Sequence, residues 1–149
     1  MMKMRKTINM KEAGLTLIEV VASIVILTLI ITTFLMMFLQ SAKTNKTSER
    51  IIDATYYAQV EMENIHAISQ ETSFNDRKST MKEFLNYETI DSINFIKDDV
   101  ESGKYFEVRL IGRLDLPLVE LLVRVYNNKE KEKLEAQMET ILSWEGNEE

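Results

Sequence analysis

A chain of 149 residues holds one modest folded core beside any membrane segment, and not two independent domains. It has no cysteine and a single histidine, which excludes disulfide staples, thiolate metal sites, a thiol nucleophile and a multi-histidine metal site within one chain. Its formal charge of −6 is unevenly spread: Lys3, Arg5, Lys6 and Lys11 stand against Glu12 alone in residues 1–14, so the remainder carries −9.

From Val20 to Leu39 there is no charged residue, a run of about 20 residues that as an α-helix covers the roughly 30 Å hydrocarbon core of a bilayer. Positive charge near a span stays on the cytoplasmic side, so the basic residues 3–11 predict an N-terminus inside and a C-terminus outside. Lys43, Lys46 and Arg50 weaken that asymmetry, and Glu49 and Asp53 partly balance them. A secretory signal has a shorter apolar core followed by a small-x-small cleavage site, which Leu39-Gln40-Ser41-Ala42 does not supply. What remains is a plain anchor or a chain cut ahead of its span. Glu19 stands at the entrance to the run, where a carboxylate costs up to about 2.5–3.5 kcal/mol at mid-membrane and less near an end. It needs a partner or a task.

A short basic leader, then Gly14-Leu15-Thr16-Leu17-Ile18-Glu19, then an uninterrupted apolar helix resembles the type IV prepilins. That family comprises pilins and the pseudopilins of type II secretion and of competence (DNA-uptake) machines. The resemblance implies cleavage between Gly14 and Leu15 by prepilin peptidase, N-methylation of Leu15, and a role in filament assembly for Glu19, then the fifth residue of the mature chain. It implies as partners other pilins or pseudopilins, the peptidase, a membrane assembly platform and the lipid bilayer, and no cofactor. Major pilins often begin with phenylalanine and break the helix within the membrane half; here Leu15 comes first and no proline or glycine occurs between Leu15 and Gly103. These departures favour a minor component over an abundant subunit.

The residues support the same roles on physical grounds. A cut before Leu15 creates an amine four residues from Glu19, one helical turn away on the same face. In a stack of helices the amine of one subunit can instead meet the carboxylate of the next, so an unpaired charge in apolar surroundings favours adding a subunit. Gly14 lets a protease approach the backbone closely and weakens helix at the cut. The competing expectation is an uncleaved single-pass anchor carrying an outer binding module, whose signature is a retained leader 1–14.

Past Leu39 the pattern turns amphipathic while helix formers persist. Ile51, Ala54, Ala58, Met62 and Ile65 recur at spacings of three and four and predict one apolar stripe, with Lys46, Glu49, Asp53, Glu61 and Glu63 toward water or a neighbour. A helix from Leu15 to about Ala67 is roughly 80 Å long. His66, near its end, reads as an ordinary surface or packing residue. Ser69 to Thr80 is polar and reads as a loop, and Thr80 with Glu83 suggests a capping box that opens a short helix over Met81 to Tyr87. An extended piece follows near Ile90 to Ile96. Asp98, Asp99 and Glu101 lack the oxygen-ligand spacing of a calcium loop and read as an exposed turn.

The clearest sheet signal is C-terminal. Phe106, Val108 and Leu110 alternate with polar residues, Gly112 to Pro117 marks a turn, and Val119, Leu121, Val123 and Val125 alternate again. After Asn127 to Lys131, the stretch to Leu142 is rich in helix formers, yet Leu134, Ala136, Met138, Thr140, Leu142 and Trp144 keep a period of two, which selects strand. The expected architecture is α+β and pilin-like: a leader 1–14, a transmembrane and filament-core helix 15–39, an amphipathic continuation 40–68, and an extracytoplasmic domain 69–149 with about three antiparallel strands against the helix. No glycine-rich phosphate loop or nucleophile–base pair appears, so the reading is structural and not enzymatic. Lys129, Lys131 and Lys133 alternate with Glu130 and Glu132 in an acidic chain, which argues against direct nucleic-acid binding.

Overall fold

The computed structural model describes residues 16–112 and 118–144. Helix α1 spans Leu17–Glu71, a single 3₁₀ turn spans Phe74–Asp76, and helix α2 spans Arg77–Leu85. Strands β1 (Glu88–Thr89), β2 (Asn94–Asp99), β3 (Lys104–Gly112), β4 (Leu118–Tyr126) and β5 (Leu134–Ser143) follow. The described residues fall into two compact units that divide between Thr44 and Asn45, and α1 contributes to both. The protein is therefore α+β, a long N-terminal helix followed by one antiparallel sheet, as the sequence leads one to expect. The sheet has five strands and not about three.

In the first unit every described residue is exposed. Nothing interrupts the helix, because no proline or glycine falls within it. Its hydroxyl residues turn inward on their own backbone: Ser23 donates to the Glu19 carbonyl at 2.7 Å, Thr28 to Ile24 at 2.7 Å and Thr33 to Ile30 at 2.7 Å. Polar side chains satisfied in this way are compatible with an apolar surrounding.

The second unit carries the core. Its strands lie in chain order, each antiparallel to the next, so short turns suffice for every connection. Phe95, Val108, Val123 and Met138 stand in one cross-strand row and Leu110, Leu121 and Thr140 in another. These inward rows pack with Ala54, Ala58 and Ile65 of α1 and with Met81, Tyr87 and Trp144 in one buried cluster. Alanines on the helix allow a close approach, and the larger side chains come from the sheet. Burying each of the large apolar residues stabilises by about 1.5–3 kcal/mol, so this single layer supplies most of the driving force. The Gly112 to Pro117 turn falls largely on residues 113–117, outside the described residues.

Several expectations need correction. The buried stripe of α1 is Ala54, Ala58, Glu61, Ile65 and Ser69, while Ile51 is 46% exposed and Met62 only half-buried. Glu61, expected at the surface, is inside because two donors on other elements meet it there. Helix α1 runs on to Glu71, past the predicted end near residue 68, and the polar segment after it is not a loop throughout. Ser73 caps the 3₁₀ turn by accepting from Asn75 N, and α2 begins at Arg77. Thr80 is not a cap; it sits inside α2, where its hydroxyl donates to the Asp76 carbonyl at 3.0 Å. The choice of strand over helix for the last element agrees with β5. Its first turn out of register differs: a bulge opposite Val125 and Tyr126 leaves Leu134 45% exposed and draws Glu135 inside, where Lys104 Nζ meets its carboxylate.

Candidate functional site

The sequence places its chemistry at the entrance to α1. Gly14 and Leu15, the expected cleavage pair and methylation site, lie outside the described residues, as does the leader 1–14. Glu19 is described, and its carboxylate turns back on the helix start. Glu19 Oε2 accepts from Thr16 N at 2.7 Å and from Thr16 Oγ1 at 2.9 Å, while Thr16 Oγ1 accepts from Glu19 N at 3.3 Å. This is a reciprocal capping box that satisfies donors a helix otherwise leaves open. Sequence reasoning missed Thr16 as a participant, although Thr-x-x-Glu ahead of an apolar run is the signal for it. Both bonds fall on Oε2, and among the described residues Oε1 takes none. The carboxylate is thus held at the helix entrance through one of its two oxygens.

The second unit contains a buried ionic group that binds helix to sheet. Glu61 is 6% exposed; its Oε2 accepts from the Tyr87 hydroxyl at 2.8 Å and its Oε1 from Lys97 Nζ at 2.7 Å. Lys97 continues the inward row of Phe106 and Val125 at the β2 position, and its Nζ lies 5.4 Å and 5.7 Å from the ring centroids of Tyr87 and Phe106. Burial, and then the Glu61 charge, hold the Tyr87 phenol well above its ordinary value. The group fixes α1 against β2 in one register. It has acid, base and phenol in contact but lies within the packed core, so it reads as structural.

At the β4–β5 connection, Lys131 has a positive φ of 55°, and its ammonium lies over the outer face of the sheet. There Lys131 Nζ lies 3.4 Å from Glu107 and 5.6 Å from the ring centroids of both Tyr105 and Tyr126, and the Tyr126 hydroxyl donates to Glu107 at 3.2 Å. Lys129 lies 3.9 Å from Asp98. Two of the three alternating lysines therefore face carboxylates. Asp99 spends its carboxylate on the β2–β3 turn, accepting from Glu101 N at 3.2 Å and Ser102 Oγ at 2.8 Å, and Gly103 with φ 65° completes that turn. Among the described residues no group of three His, Asp or Glu side chains is placed to hold a metal ion.

His66 lies on the wall of an open groove of about 430 Å³ between α1 and β5. The helix end and the strand end meet beyond it, where Gln70 Nε2 donates to Ser143 O at 3.3 Å and Trp144 Nε1 to Thr72 O at 2.8 Å. Comparison with known proteins returns no matching family model, no matching curated protein and no matching solved structure.

Proposed function

We propose that the chain is a type IV pilin-like subunit, a minor pilin or pseudopilin, held in the membrane by α1 and assembled into or initiating a filament for secretion, adhesion, motility or DNA uptake. The observation that carries this reading is Glu19: a carboxylate held at the entrance of an uninterrupted helix whose apolar half is wholly exposed. A helix of that length and composition is able to cross a membrane, and an apolar surface of that extent is not left in water. Cleavage between Gly14 and Leu15 would remove the basic leader and leave an amine beside Glu19. The amine of an arriving subunit would then find the free oxygen of a carboxylate already fixed in direction. Partners would be other pilins or pseudopilins, the peptidase and the assembly platform, with the N-terminus cytoplasmic before processing and the folded unit outside.

The test is the intact mass of the membrane-extracted protein, with Glu19→Gln beside it. The native chain should begin at methylated Leu15. Glu19→Gln keeps an acceptor for Thr16 but has no charge; it should be processed normally and enter sheared filaments at least about tenfold less, the loss of roughly one ion pair. Normal assembly of this variant would sink the charge-pairing mechanism. A second reading, an uncleaved anchor carrying a binding module, draws on the open groove beside β5, and a retained leader in a host with active prepilin peptidase would favour it.

A further inference from the structure

We propose that the free edge of β5, with the groove beside it, takes an extended segment of another chain that alternates apolar and basic residues. The proposal concerns the second unit alone and does not depend on filament entry. β5 ends the sheet order, so among the described residues one side of its backbone has no strand partner. The opposite edge is closed off by shortness, since β1 has two residues. β5 has ten residues, no proline, and its only irregularity, the bulge, at its start. From Ala136 to Ser143 it carries the single charge Glu139, against the usual guarding of long edges by several charges or a proline.

The groove lies where an added strand would lie. Residues pointing to both faces of β5, among them Met138, Leu142 and Ser143, line it, which an edge position allows, and Met62, Glu63 and His66 of α1 form its other wall. The inward rows ending at Met138, Thr140 and Leu142 stop there. An added strand would continue those rows with its own inward side chains at i, i+2 and i+4, filling the space beneath the helix, while backbone groups pair along the edge. On the outer side it would meet the exposed Glu139, while Glu63 on the helix wall accepts from Gln59 Nε2 at 2.8 Å. Glu139 selects lysine or arginine at the outward positions of the arriving segment. A second copy of β5 is disfavoured, because the two-fold registers that pair this run over its length set Glu139 opposite or diagonal to its own copy.

The experiment uses the full chain in zwitterionic detergent with two short synthetic peptides, one alternating lysine and valine, the other glutamate and valine. Hydrogen exchange at Gln137 to Ser143 should slow on adding the lysine peptide and not at β2. The glutamate peptide should bind about tenfold more weakly, and Glu139→Lys, a change at an exposed position, should invert the preference. Equal binding of both peptides, or no added protection along β5 at saturating lysine peptide, overturns the proposal. Protection at β5 that grows with protein concentration in the absence of peptide would make the occupant a second copy and overturn it as well.

Discussion

Glu61 is the residue on which helix and sheet agree. Removing one member of a buried pair leaves the other charged and unpaired, at about 3–5 kcal/mol; Lys97 keeps 19% of its side chain in water, which places Glu61→Ala near 3 kcal/mol. Replacing both charges, with Glu61→Leu and Lys97→Met, should recover at least half of that loss, since an apolar pair needs no desolvation. Trp144 is the only tryptophan and is buried, so its emission during urea unfolding reports these differences. Tyr87 adds a dependence on pH. Its phenol pKa is raised by burial first and by Glu61 second, so above pH 10 the folded chain keeps a proton that the unfolded chain has lost. Its contribution is complete below pH 10 and lost as pH rises above it, at up to about 1.4 kcal/mol per pH unit. Tyr87→Phe should show a correspondingly shallower fall in stability above pH 10, measured by the same urea titrations; an unchanged slope would exclude Tyr87 as the cause. The burial of Glu61 was open to inference from spacing, because Ala54, Ala58, Glu61 and Ile65 keep intervals of four, three and four. Its partners were not, since Tyr87 and Lys97 lie 26 and 36 residues away.

At the scale of elements, the strands with strict alternation and the apolar run were legible, because each is stabilised by a repeating local pattern. The segment after α1 was not, because tertiary contacts shape it. Phe74 stacks edge-on with Trp144 at 5.4 Å, lies 4.1 Å from the Arg77 guanidinium carbon, and sits over the end of β3. Arg77 in turn donates to the carbonyls of Phe74 at 2.8 Å and Ser92 at 2.9 Å, tying the start of α2 to the β1–β2 connection. No composition rule announces such a clamp in a polar stretch. It leaves little room for a side chain at Gly112, since a Cβ there would lie 2.9 Å from Phe74 Cε1 and 3.0 Å from Cζ. The ring has neighbours on two sides and little room to withdraw, so Gly112→Ala should destabilise by about 2 kcal/mol. Phe74→Leu should cost less in that background than in the native chain, because the smaller side chain relieves the overlap. A double-mutant cycle by urea titration measures the coupling, and strict additivity would show that the contact is not responsible.

For the whole molecule, the wholly apolar run and the amphipathic or alternating remainder are two kinds of sequence, which is why the boundary between them could be read before any fold was known. Residues 16–39 bury nothing of themselves, whereas among the described residues the buried core begins at Ala54 and ends at Trp144. A core closed within those residues does not draw on the apolar half of α1 for its stability. Residues 45–149 expressed alone should therefore be soluble and should unfold in one cooperative urea transition followed by Trp144 emission. Its midpoint should match that of the full chain in detergent to within the error of the extrapolation, about 10–15%. The full chain should in turn remain with membranes through an alkaline wash that releases the shorter one. A shorter chain that unfolds without cooperativity would mean that the helix before Asn45 is required to hold Ala54 and Ala58 on the sheet, and the division into two units would fail as a physical statement.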